Sequence, residues 1–128
     1  MISGKRSCHV IYHDSNIMAI LDKYPIDKGH SLVITKKPYE KLTDMSSQEV
    51  AELFSNIPKI ANAIIKATNA DAFSIAQNNG KAAKQIIPHV HVHIIPRYSA
   101  TGTLWLKRKI LTDDELDELA QKIRNCIE

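Results

Sequence analysis

The sequence predicts an α+β domain in which an antiparallel sheet of about five strands carries one long central helix and a C-terminal helix. Three observations predict it. Short runs rich in Ile, Val and Tyr alternate with turn residues, two capping boxes each open an apolar stripe of helical spacing, and the 128 residues hold no repeat, low-complexity tract or linker. A chain of this length builds a single core, so residues 1–128 are read as one domain.

His9 to Tyr12 and Ile17 to Leu21 are β-type runs, and Asp14-Ser15-Asn16 between them is turn chemistry, so they form an antiparallel hairpin. Tyr24-Pro25 and Asp27-Lys28-Gly29 then interrupt any regular element. Ser31 to Thr35 is a third strand, with His30 at its entrance. The hydroxyl of Ser46 followed by the carboxylate of Glu49 can satisfy the orphan amides of a helix start. Val50, Leu53, Phe54, Ile57, Ala61, Ile64 and Ile65 follow at spacings that mark one apolar stripe, and Pro58 inside this helix should kink it. Asp71 to Gln77 reads as a fourth strand, Asn78 to Gln85 as a loop, and Ile86 to Ile95 as the fifth strand. Tyr98 to Leu111 connects onward in a form the pattern leaves open. Thr112 and Glu115 open the terminal helix, with Leu116, Leu119, Ala120, Ile123 and Ile127 on one face.

Composition excludes several classes of function. Apolar residues make up 44% and charged residues 24%, a globular balance that points neither to disorder nor to a membrane span. Seventeen basic against fourteen acidic residues give a formal charge of +3, compatible with small anions. The densest basic run, Lys107-Arg108-Lys109, is short and is followed by Asp113-Asp114-Glu115, so no nucleic-acid stripe is expected. Cys8 and Cys126 are far apart in sequence and form no Cys-x-x-Cys pair, which indicates neither a disulfide framework nor a zinc ribbon. With no apolar h-region after Lys5-Arg6, a cytoplasmic location is expected.

The run His89-Val90-His91-Val92-His93 carries the chemistry. On an extended strand alternate side chains share a face, so the three imidazoles project together while Val90, Val92 and Ile94 project into the core. Three rings are a poor core filling, because each buried ring needs partners for its nitrogens. A metal is the serious competitor, using two of these rings with His30 or His9. At about 3.3 Å per residue the outer two lie roughly 13 Å apart, too far for all three to meet one ion. Phosphoryl chemistry employs all three, since neutral imidazole is a nucleophile near neutral pH and flanking donors can hold phosphate oxygens. The loop Asn78-Asn79-Gly80-Lys81-Ala82-Ala83-Lys84-Gln85 could face a phosphate, with Gly80 permitting close backbone approach.

His89-Val90-His91-Val92-His93-Ile94-Ile95 resembles the His-φ-His-φ-His-φ-φ signature, φ being apolar, of the histidine triad (HIT) family. Its continuation into Pro96-Arg97 resembles the branch that includes the fragile histidine triad protein and many microbial members. Similarity runs also through Ile17 to Asp22, Lys28 to Ile34 and Gln77 to Gly80, covering roughly residues 9 to 98 in collinear order. The resemblance implies a HIT-like fold and a homodimer in which the two sheets join with the long helix at the interface. It implies that His91 is the nucleophile toward an α-phosphorus, that His93 and His89 orient it and contact phosphate oxygens, and that His30 faces the triad. It assigns Asn78 to hold the phosphate or the nucleophile, Asp22 to the ribose hydroxyls and Ile20 to the base pocket. Gln85 and Gly80 complete the expected nucleotide-binding set.

Two positions depart from the family pattern. Ile86 stands where many relatives carry a hydroxyl residue that can assist the leaving group, and Lys84 replaces the usual glycine before Gln85, which should loosen the loop and make it more cationic. Zinc-binding cysteines of some bacterial relatives are absent, so no structural zinc is expected, and no cofactor is required. The expected function is hydrolysis or transfer at the α-phosphate of a purine nucleotide through a nucleotidyl-histidine, on dinucleoside polyphosphates. The alternatives are an adenosine phosphoramidate (nucleotidyl-amine) hydrolase and a non-catalytic purine-nucleotide-binding module.

Overall fold

The computed structural model describes residues 9–99 and 111–127. The leader reading, Cys8, the Lys107-Arg108-Lys109 run and most of the connecting segment lie outside the described residues. Five strands form one antiparallel sheet: β1 (Val10–His13), β2 (Ile17–Leu21), β3 (Ser31–Thr35), β4 (Ala72–Ala76) and β5 (His91–Arg97). Their order is β1-β2-β3-β5-β4, so β5 lies between β3 and β4. Three α-helices are found among the described residues: α1 (Ser47–Ser55), α2 (Ile57–Thr68) and α3 (Asp113–Cys126). No described helix is long and apolar enough to cross a membrane.

The expected long helix is divided. Asn56 at φ −89° and ψ −12° closes α1, and Pro58 falls in the first turn of α2, where its missing N–H costs no helical hydrogen bond. The expected kink is therefore a break two residues upstream of the proline. Both capping boxes form: Ser46 accepts from the Glu49 amide, and Thr112 accepts from the Glu115 amide.

Register sorts the side chains onto two faces. Val33 pairs with Val92 and Ser31 with Ile94, and this side packs under the helices in a core that includes Leu53, Ile60, Ile64, Leu116 and Ile123. Leu32 pairs with His93 and Ile34 with His91, so both histidines stand on the opposite face. There Ile20, Leu32 and Ile34 form a smaller apolar cluster with Val10 and Met18 packed against it. One glycine is demanded by this packing: Gly29 adopts φ +93°, and a Cβ there would meet Thr68 Cγ2 at 3.0 Å and Pro96 Cγ at 3.2 Å.

β5 starts five residues later than expected, at His91 rather than Ile86. Pro88 has no N–H to give to a ladder, and the Val90 amide donates instead to the Tyr39 carbonyl at 2.7 Å, so pairing with β3 ends at His91. The sheet thus holds two of the three triad histidines, and His89 precedes it in a bend.

Candidate active site

The backbone turn before β5 decides what each ring can do. The His89 carbonyl lies 2.7 Å from His91 Nδ1. A carbonyl only accepts, so His91 donates through Nδ1–H and its neutral ring keeps an unprotonated lone pair on Nε2. His89 itself is turned away from the strand row: its Nε2–H donates to the Thr35 carbonyl at 2.7 Å and lies 3.3 Å from the Thr35 hydroxyl oxygen. That hydroxyl in turn donates to the Lys37 carbonyl at 2.8 Å. Thr35, which closes β3 and is buried, is thus a support that sequence reasoning missed. The antiparallel pairing of β3 with the histidine strand was the available signal, since it brings the end of β3 opposite the start of the triad.

His93 and His91 meet edge to face, with ring centroids 5.0 Å apart. Burial pushes the His93 pKa down from the usual imidazole value, the neighbouring His91 ring lowers it further, and the Asp22 carboxylate works in the opposite direction. The net direction favours the neutral ring. Its Nδ1 is 2.9 Å from Nε2 of His30, a ring buried at 3% exposure at the mouth of β3. Asp22 Oδ2 approaches the same His30 nitrogen at 3.7 Å.

The structure brings His30, His91, His93 and Asp22 together and places Ile20 on the same face, buried in the apolar cluster beside Leu32. Asn78 is half-buried and follows the end of β4, where Ala76 pairs with His93. Gln85 is buried as a brace: its side chain accepts from the Gly80 amide and donates to the Glu40 carbonyl, both at 2.6 Å. Gly80, at φ +93°, thereby helps close the loop. Lys84 keeps the turn tight by adopting the left-handed region itself, at φ 70° and ψ 27°. Ile86 is 90% exposed. Arg97, on the same face of β5 as the two histidines, is 3.6 Å from Asp27 and donates to Ser74 Oγ.

Asp22, His30 and His93 each offer one donor atom within 4.8 Å of the others, the geometry in which a metal could be sought. The two ring nitrogens are hydrogen-bonded to each other, so an ion would have to displace their shared proton before it could bind.

The model of the HIT domain matches residues 3–100. The chain is 39% identical over 128 residues to the adenylylsulfatase HINT3 of Arabidopsis thaliana, covering 99% of this chain and 64% of that protein, so it spans a little under two thirds of that relative. Two Schizosaccharomyces pombe proteins are also similar: the adenosine 5'-monophosphoramidase hnt1, 30% identical with 99% and 94% of the two chains covered, and the asymmetrical bis(5'-nucleosyl)-tetraphosphatase, 38% identical with 71% and 50% covered. Among solved structures, a histidine triad nucleotide-binding protein from Sulfolobus tokodaii superposes with a TM-score of 0.87 at 32% identity, covering 98% of this chain and 87% of that one. Family match, identity and superposed fold all fall on the segment that carries the paired strands and the histidine row, and the chain belongs to the HIT domain family.

Proposed function

We propose that this chain is a nucleotide hydrolase or transferase that works at an α-phosphorus through a covalent nucleotidyl-His91, with dinucleoside polyphosphates as substrates. The observation that carries the reading is the 2.7 Å bond from His91 Nδ1 to the His89 carbonyl, which puts the lone pair of the neutral ring on Nε2. In the first step Nε2 forms a bond to phosphorus, and the bond from phosphorus to the leaving oxygen breaks with its electron pair going to that oxygen. In the second step water attacks phosphorus and releases a proton to solvent, while the phosphorus–Nε2 bond breaks with its electron pair returning to Nε2. His93 flanks the reacting centre and contacts phosphate oxygens, His89 orients His91 through its backbone carbonyl, and Asn78 holds the phosphate. Asp22 takes the ribose hydroxyls, and Ile20 lines the wall of the purine pocket.

Substrate choice has named precedents among relatives, an adenylylsulfatase, a monophosphoramidase and a dinucleoside tetraphosphatase, all of them hydrolases of nucleotides by name. Exposed Lys81 and Lys84 lie on the turn that leads into the triad, and their charge favours the polyphosphate class. No metal is needed in this scheme, and the proton bridge between His30 and His93 supports that. The chain acts as a homodimer joined through β4.

Rapid quench of the enzyme with a diadenosine polyphosphate, followed by mass spectrometry, should find a nucleotidyl mass on the His91 peptide. His91→Ala should still bind AMP and lose turnover by on the order of 10⁴-fold. Faster turnover of adenosine phosphoramidate would reassign the leaving group. A wild-type chain that binds AMP and turns over no nucleotide would leave only a binding module.

A further inference from the structure

The loop between β2 and β3 sets two groups against the His30 ring that take no part in the displacement. The Ile26 amide lies 3.0 Å from His30 Nδ1. An amide N–H only donates, so this nitrogen offers its lone pair and the neutral ring carries its proton on Nε2. That nitrogen is the one 2.9 Å from His93 Nδ1. The bridge has room for one proton, and it belongs to His30, so His93 Nδ1 accepts and His93 keeps its own proton on Nε2. Asp22 reinforces the order. The Tyr24 amide donates to its Oδ1 at 2.8 Å, and Oδ2 stands 3.7 Å from His30 Nε2, a negative charge beside the shared proton.

We propose that the Ile26 amide is a positioning group that fixes a one-way proton order, from Ile26 N–H to His30 and from His30 to His93, so that uncharged His93 ends the row as an N–H donor. His91 is set the other way by the His89 carbonyl. Two neighbouring rings thus hold opposite tautomers, one presenting a lone pair and the other an N–H. An electron-rich nitrogen for phosphorus then stands beside a donor for the phosphate oxygen, and neither ring needs to gain a charge first. That consequence rests on His91 as nucleophile; the proton order itself does not.

The test is a long-range ¹H–¹⁵N correlation on the full chain, labelled with ¹⁵N and free of nucleotide at neutral pH. His30 and His93 should be protonated on Nε2 and His91 on Nδ1, and a through-hydrogen-bond coupling should join the Ile26 nitrogen to His30 Nδ1. Protonation of His93 on Nδ1, of His91 on Nε2, or absence of that coupling overturns the proposal. Ile26→Pro removes the donor, and in the folded variant His30 should lose its single tautomer, with His93 following; an unchanged His30 refutes the role of Ile26. If that variant does not fold, the wild-type tautomers and the coupling decide. The expected proton order in a chain that forms no adduct on His91 would sink the catalytic reading alone, and an adduct with the reverse order would sink the relay alone.

Discussion

At the scale of single residues, Lys84 shows how a departure from the family pattern is absorbed. Its φ of 70° is a conformation in which a non-glycine residue is disfavoured by about 1–2 kcal/mol, and the surrounding turn, closed by Gln85 on Gly80 and Glu40, holds it there. Lys84→Gly relieves that strain and returns some of the gain as unfolded-chain entropy. The variant should therefore be more stable by up to about 1 kcal/mol in urea unfolding, and a lowered midpoint would contradict the strain argument. His93 supplies a second expectation. Its folded pKa lies below the unfolded value, so the folded state binds this proton less readily. The resulting stability is fully present above the unfolded pKa of about 6.5 and is lost as pH falls toward the folded value. Thermal unfolding midpoints of wild type should fall across that interval more steeply than those of His93→Gln. Parallel curves would show that His93 is not the titrating group.

At the scale of elements, the helices depend on their caps more than on their lengths. The Ser46 hydroxyl accepts from the Glu49 amide at 3.2 Å while the Glu49 carboxylate accepts from the Ser46 amide at 2.8 Å, and Tyr39 donates a short hydrogen bond to the same carboxylate. Hydrogen bonds from Tyr39 and Ser46 hold the Glu49 pKa down at about 2. Ser46→Ala should cost about 1 kcal/mol in denaturant unfolding, and a loss near zero would mean that α1 is held by packing alone. These caps were readable because they are local patterns, as were the β-branched strands and the alternation that puts His91 and His93 opposite Val92. The start of β5 was not readable, because it depends on the Val90 amide choosing the Tyr39 carbonyl 51 residues away in sequence, and Pro88 marks the boundary only in hindsight. The site divides in the same way. His91 and His93 followed from period-two spacing, and the position of His30 came from family resemblance. The Thr35 support and the Gln85 brace arise from contacts 54 and 45 residues apart, which no local pattern encodes.

At the scale of the whole molecule, the two edges of the sheet are treated differently, and that difference argues for a partner. The β1 edge is covered by α3, and Arg124 donates to the Val10 carbonyl at 2.6 Å. The β4 edge carries the sequence Ala-Phe-Ser-Ile-Ala, with no charge or proline to discourage pairing. Phe73 and Ile75, paired with Pro96 and Ile94, continue the helix-side face outward and remain 45% and 42% exposed. A second copy of the chain seated there would cover both side chains and extend the sheet. Because Ile75 is already half in solvent, Ile75→Arg should change the stability of the subunit by no more than about 0.5 kcal/mol. In a dimer the same change buries an unpaired charge at the joint, and it should weaken association by about a hundredfold or more. Sedimentation velocity over a concentration series separates the two effects. A wild-type chain that sediments as a monomer throughout, or a variant that dimerises as tightly as wild type, would remove β4 as the joining edge.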